Sequence, residues 1–376
     1  MADGHKSRPS PPGGPRPRFK GLLTWVLRQS ADKLSASCRW AGARKSDGDD
    51  LPRDHPPRPL LSTSAQDRPL AAPPNRLQLL GRIAGHAWQQ ARAEGLSDGL
   101  RVLLGAGRML GEREVLNQLF AIPAFAQLMA AQPHTDALFF ISHRFFLSRD
   151  FGGAERVACV LNHFRFEQAH LSPALLPALH GDGLRLWRHG ADYDIRLRTN
   201  PHTRHEGPLN LALRCQGRAV HDISFAWIDA RQLGPQAGHG PVLFATRNQS
   251  APPDSPMLAR FRADFPQNSP AYFVLAALHA LAERLGHARI VGVRDRCQIA
   301  FEPEHAVGFK RSYDDFWLSF GGLPLGHHGY EMPVPAQIAP LEQLKAKHRA
   351  RARQRREHWR QVNDAAQQAL SPYTRP

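Results

Sequence analysis

The apolar spacing of this chain predicts an α+β fold. An N-terminal helical subdomain is followed by a mixed or antiparallel sheet with a packed helix, and a basic helix closes the chain. Three observations predict it. Residues 193–228 alternate apolar and polar side chains, as adjacent strands do. Ser269-Pro270 opens an apolar helical run that stops at Gly286. Residues 345–360, KAKHRARARQRREHWR, carry eight Lys/Arg against the single acid Glu357.

The elements fall into four segments: 1–75, 76–175, 176–335 and 336–376. Residues 1–75 hold twelve of the 32 prolines and no sustained periodicity, which predicts a disordered Pro/Arg-rich extension. A short amphipathic piece (Leu22, Leu23, Val26, Leu27, Leu34) interrupts it. In 76–175, Leu77, Leu80, Ile83, Ala84 and Ala87 share one helical face, and Leu100, Leu103, Leu104 and Leu110 continue the pattern. Further helices are expected at 116–120, 125–129 and 154–168, broken at Pro123 and Pro133. In 176–335, strands are expected at 193–198, 209–215, 220–228 and 242–246, with Gln216-Gly217 as a two-residue hairpin turn. A helix to about residue 285, a short buried strand at 289–293 and a helix at 313–320 follow. A last helix is expected over 341–370.

Charge is concentrated at the two ends. The formal net charge is +16. Residues 1–75 contribute a surplus of six and 345–360 seven more, which leaves about +3 over the 269 residues between them. Lys345, Lys347, Arg349, Arg351, Arg353, Arg355 and Arg356 therefore form an anion-binding tail suited to acidic lipid, a cell-envelope precursor or, less favourably, nucleic acid. No apolar run approaches the ~20 residues of a membrane span. Cys38, Cys159, Cys215 and Cys297 form no C-x-x-C pair, which argues against zinc ribbons and disulfide scaffolds. The expected location is the cytoplasm, with peripheral contact at an inner membrane through the basic tail.

Common catalytic signatures (P-loop, nucleophile elbow, zincin helix) are absent. His163, Glu167 and His170 would share a helical face, but Pro173 ends that helix soon after, and no metal is expected. His202, His205 and Glu206 read as a polar turn. Thr246-Arg247-Asn248-Gln249 at a strand end and Gln267-Asn268-Ser269 at a helix start place polar groups and free amides together, the makings of an anion site. Asp295, Arg296 and Gln298 reach the same edge if the two flanking strands are neighbours. The ligand or phosphate set is thus Arg247, Asn248, Gln249, Gln267, Asn268, Ser269 and Gln298, with Glu206 and Asp295 as candidate bases.

Several of these segments resemble the VirK/YbjX family of Gram-negative bacteria. They are FPQNSP at 265–270, Gly292-Val293 with Gln298 five residues on, YDDFW at 313–317 followed by Gly321-Gly322, YEMP at 330–333 and the basic run at 345–356. His163 and the Gly181-Asp-Gly183-Leu184…Trp187 segment fit the same order. The resemblance covers about 76–360 and leaves the first 75 residues outside. Where that family tends to have Gly-Val-Ser-Asn, this chain has Gly292-Val-Arg-Asp295. The resemblance implies roles in envelope integrity, virulence and resistance to cationic antimicrobial peptides, without a settled reaction.

Two functional readings stand. The order of strands, helix and strand is similar to the core of the GNAT acyltransferases, where acyl-CoA phosphates sit on amides at such a helix start; this is fold-level analogy. The usual Q/R-x-x-G-x-G/A loop of those enzymes is not evident. The alternative is a non-catalytic module that binds acidic lipid or nucleic acid through its basic helix.

Overall fold

The computed structural model describes residues 113–131, 145–200, 204–338 and 340–374, together with helical positions at Gly81, Ala84, Trp88 and Arg92. The extension expected over 1–75 lies outside the described residues, as does the helical segment before residue 113 apart from those four positions.

The expected α+β class holds. Helices α1 (Arg113–Phe120), α2 (Pro123–Ala131), α3 (Gly153–His170) and α4 (Leu176–His180) precede the sheet. Pro123, expected to break a helix, opens one instead: proline suits a first turn, where no amide needs a partner. Strands β1 (Leu184–His189), β2 (Tyr193–Thr199), β3 (Leu209–Cys215), β4 (Arg218–Asp229) and β5 (Pro241–Ser250) then run antiparallel, each beside the next. Gln216 and Gly217 both take positive φ, 51° and 76°, the geometry a tight two-residue hairpin requires.

After β5 the chain makes α5 (Pro256–Asp264) and α6 (Pro270–Arg284), then returns as β6 (Arg289–Val293) parallel to β5. Helices α7 (Ala306–Ser312) and α8 (Asp314–Ser319) lead to the hairpin β7 (Leu323–Leu325) and β8 (Gly329–Pro333). The eight strands form one sheet in the order β1-β2-β3-β4-β5-β6-β8-β7. Helix α9 (Ala346–Leu370) closes the chain, preceded by a 3₁₀ turn at Leu341–Gln343, so the expected last helix starts five residues late.

One continuous core runs from Leu116 to Leu370. Helix α3 packs on β4 by stacking His163 and Phe166 on Trp227. Helix α9 lies along α6 in the same direction: Asn268 meets His358 and Trp359, Glu283 meets Gln367, and Arg284 meets Ser371. The C-terminal half of α9 joins the main core through Val362, Ala366 and Leu370, and Ala352 is buried in its N-terminal half.

The parallel strand β6 is held by Trp317, which is fully buried and donates its indole N–H to the Val293 carbonyl at 2.9 Å. A methyl group on Gly292 would stand 2.3–2.8 Å from the Trp317 ring. Gly292→Ala should therefore destabilise the protein by about 1–3 kcal/mol, the usual cost of overpacking. The check is the urea midpoint of the variant against the parent, with the Gly308→Ala variant, where no neighbour lies within 4 Å, as the control.

Candidate functional site

Strand β5 leaves β6 after Ala245, the last residue of their ladder, and continues alone on that side to Ser250. The stretch expected at a strand end, Thr246–Gln249, therefore lies inside β5, paired with β4. On the opened side, the turn after β6 brings Gln298 across. Its Nε2 donates to Glu206 Oε1 at 2.6 Å and approaches the Thr246 carbonyl at 3.5 Å. Its Oε1 accepts the Ala300 amide at 2.5 Å, so both ends of this buried amide are satisfied.

Arg247 lies between two carboxylates. Its Nη1 donates to Glu206 Oε2 at 2.5 Å and its Nε to Asp222 Oδ1 at 2.8 Å. Expected as a phosphate ligand, it has its charge matched within the protein. The turn that carries Glu206 is fixed by Gly207, whose φ is +147° and where a Cβ would stand 2.7 Å from the Phe225 amide nitrogen. Thr246 Oγ1 donates to the Glu206 carbonyl and locks the same turn.

Burial alone would raise the Glu206 carboxyl, but Arg247, His205 and the hydrogen bonds from Arg247 and Gln298 outweigh it and hold the group below the ordinary carboxylate range. Glu206 is ionised and both oxygens are engaged, which makes it a poor proton acceptor. Asp295 differs. Burial first and the nearby Asp314 second push its carboxyl upward. Its Oδ1 accepts the Arg296 amide at 2.6 Å, and its own amide donates to Asp314 Oδ1 at 2.8 Å. Asp314 Oδ2 in turn takes the Tyr330 hydroxyl at 2.8 Å. Of the two candidate bases, Asp295 is the one whose carboxyl is pushed upward rather than held down.

The remaining expected residues fall into separate networks. Asn248 Oδ1 bonds His221 Nε2 at 2.8 Å and its Nδ2 donates to the Ser312 carbonyl at 2.6 Å. Gln249 is exposed at the end of β5. At the start of α6, Gln267 takes φ +68° and is exposed, and Ser269 occupies the N-cap without a side-chain capping bond. Asn268 Oδ1 instead accepts the Ser269 amide at 3.2 Å and the Trp359 indole N–H at 3.0 Å. Lys345, Lys347, Arg349, Arg351 and Arg353 are exposed on or beside α9, whereas Arg355 and Arg356 are half-buried. The His163–Glu167 pair is internal, with Nε2 to Oε1 at 3.3 Å, and His170 bonds the Phe166 carbonyl.

Sequence reasoning did not single out Asp222, Asp314 or Tyr330 as site residues. Asp222 reads as one polar residue on a strand, and only the β4–β5 register brings it to Arg247.

Buried histidines make the fold acid-sensitive. Burial lowers His221, His279 and His287 to about 4. The unfolded chain therefore takes up protons first as pH falls from about 6.5, and stability drops between there and about 4. One such histidine accounts for on the order of 3 kcal/mol at about 1.4 kcal/mol per unit. Glu206, held low, adds a loss of the same sign at lower pH. Urea midpoints at pH 7.5 and 4.5 should show the drop. His279→Leu, which replaces a ring whose Nδ1 has no hydrogen-bond partner among the described residues, should reduce it. An unchanged pH slope in that variant would sink the assignment.

The family described as a protein of unknown function (DUF535) matches residues 101–236 and 269–368 of the chain. No curated protein and no solved structure matches it. The matched segments run through α1–α4, β1–β4 and from the start of α6 nearly to the end of α9, so they include Glu206, Asp222, Asp295, Gln298 and the basic run, while Arg247 falls between them. The chain belongs to the DUF535 family, which contains the VirK/YbjX proteins that its sequence landmarks resemble.

Proposed function

We propose that this protein binds an acyl-CoA and acts as an acyltransferase-like member of its family. It would work at the cytoplasmic side of the cell envelope, with the envelope integrity and peptide-resistance roles the resemblance implies. The observation that carries the reading is the single parallel strand pair in the sheet. β5 and β6 are joined by the α5–α6 crossover and part after Ala245 and Gly292, and α6 starts toward the same end of the sheet, where Phe265 packs on Trp187 and Tyr193 of β1 and β2. In open sheets, ligands gather outside the carboxyl ends of parallel strands.

The phosphates of the ligand would lie at the start of α6 beside the basic half of α9. Because His358 and Trp359 touch Asn268, residues one turn earlier on α9 overhang that helix start. Arg355 is one of them, and its buried Nε has no hydrogen-bond partner among the described residues. Gln267, Asn268 and Ser269 would supply polar groups and amides, while Arg247 would hold the floor of the site through Glu206 rather than meet the phosphates. Asp295 would act as the base. On this reading the melting temperature of the full chain rises with acetyl-CoA or a long-chain acyl-CoA. A ligand at ~100 times its Kd stabilises by about 2.7 kcal/mol. The shift should persist in moderate salt and shrink in Arg355→Gln. No shift with either thioester would overturn the acyl-CoA assignment.

A second reading has its own support. About 16 Å of α9, from residue 346 to 356, carries the basic block ahead of the segment that packs on α6. The exposed Lys347, Arg349, Arg351 and Arg353 would recruit the chain to anionic lipid, at about 1 kcal/mol each near the surface. Co-sedimentation with vesicles containing phosphatidylglycerol should then fall with salt and with Lys347, Arg351 and Arg353 all changed to Gln. Binding indifferent to both would exclude it.

A further inference from the structure

Just past the end of β6, three side chains from segments far apart in sequence converge. Asp150 lies just before α3, Cys297 in the 3₁₀ turn Asp295–Cys297 after β6, and His327 in the β7–β8 hairpin loop. Cys297 Sγ stands 3.1 Å from Asp150 Oδ2, and His327 Nε2 stands 2.9 Å from the same oxygen. One donor atom from each residue lies within 4.8 Å of the other two.

Main-chain bonds hold all three segments in place. Leu147 takes φ +62°, and the turn it begins is latched to the Cys297 turn: the Arg149 amide donates to the Cys297 carbonyl at 2.9 Å, and Ser148 Oγ to the same oxygen at 3.3 Å. The hairpin loop is latched to the end of β6 by the Arg294 amide on the His328 carbonyl at 2.9 Å. The three donors are therefore brought together by backbone, and their meeting does not depend on flexible side chains reaching across solvent.

We infer that Asp150, Cys297 and His327 form a site for one divalent cation of the zinc class. Thiolate sulfur with imidazole nitrogen selects a borderline-soft ion, and the carboxylate completes a three-ligand set that leaves a fourth position for water. Tetrahedral bonds of 2.0–2.3 Å place donor atoms roughly 3.3–3.8 Å apart, so the pairs now at 2.9 and 3.1 Å need to open by only a few tenths of an ångström. Binding replaces the thiol proton, which now points at Asp150, and releases it to solvent. His327 binds through Nε2 as neutral imidazole: the hydrogen that Nε2 now directs at Asp150 leaves to solvent while Nδ1 carries the ring's one proton. The sulfur lies on the protein side, since Cys297 is fully buried, while Asp150 and His327 are 40 % and 66 % exposed and face water. The ion would pin the β7–β8 hairpin to the lead-in of α3. The site is independent of the acyl-CoA reading.

The test is a titration of the full chain with Co²⁺ in reducing buffer, in parent and variants. The expected result is one equivalent bound, with a near-ultraviolet thiolate-to-cobalt band that Zn²⁺ abolishes. Cys297→Ser should lose the band, whereas Cys38→Ser, Cys159→Ala and Cys215→Ala should keep it. His327→Ala alters an exposed side chain, so it is the variant that keeps its fold. It should weaken apparent affinity by about ten-fold or more and remove any rise in melting temperature given by Zn²⁺. Absence of the band in the parent, its survival in Cys297→Ser, or parental affinity in His327→Ala would each overturn the site.

Discussion

A buried guanidinium organises the middle of this molecule. Arg247 cannot lose its proton at any ordinary pH, and its side chain, only 12 % exposed, is largely out of reach of water. Glu206 and Asp222 must meet it, and each belongs to a different piece of chain. Asp222 comes from the neighbouring strand β4, so the pairing sets the register of the β4–β5 ladder where it passes an irregularity between Ser224 and Phe225. Glu206 comes from the turn before β3, so that turn must fold down on the sheet. Gln298 then caps the free oxygen of Glu206 and pulls the turn after β6 to the same point. Removing one member of such a group leaves an unpaired buried charge, which typically destabilises by about 3–5 kcal/mol. The ion pair does not make the protein stable in the way apolar burial does. It selects one arrangement of three connections around the place where β5 and β6 separate.

How much of this was legible in the sequence depended on the range of the forces involved. Strand β2 was plain because it buries one face, which leaves an alternation that any window can detect, and β3 keeps that alternation in sequence although nearly all of its residues are buried. The Gln216-Gly217 turn and the stop at Gly286 were equally plain, since positive φ selects its residues locally. Strand β6 was found because four consecutive residues, 290–293, are apolar or glycine. The hairpin β7–β8 was not, because β7 has three residues, contains Pro324 and exposes Leu323. Its order beside β6 is a tertiary fact.

The site was less legible than the fold. Arg247, Asn248 and Gln298 were singled out as polar groups at the edges of core elements, and two of them, Arg247 and Gln298, do meet, at Glu206. What could not be read was the sign of the environment. An arginine near a helix start looks like an anion site until the register of another strand supplies Asp222, 25 residues away, and a turn supplies Glu206, 41 residues away. The same holds for Asp150, Cys297 and His327, where 147 and 30 residues separate the partners of the sulfur. Spacing rules detect ligands on one helix or one loop, and none of these sets is of that kind.

Helix α9 shows why a run of charge need not mean a loose tail. Its last three turns are fastened to α6 by Val362, Ala366 and Leu370 and by polar bonds at Glu283 and Arg284. An α-helix is stiff over this length, so fixing its C-terminal half also fixes the direction of its basic half. Ala352 is buried in the middle of that half, and Arg349 bonds back to the Glu342 and Leu344 carbonyls, so the N-terminal end is tethered as well. The positive charges are consequently held at a set place beside the start of α6, with Trp359 and Asn268 as the joint. A preoriented cationic surface loses little conformational entropy on meeting an anion, which a free tail of the same composition would lose in full. The acyl-CoA and lipid readings therefore draw on one structural fact, and they differ in whether the anion lies at the start of α6 or on the outer face of α9.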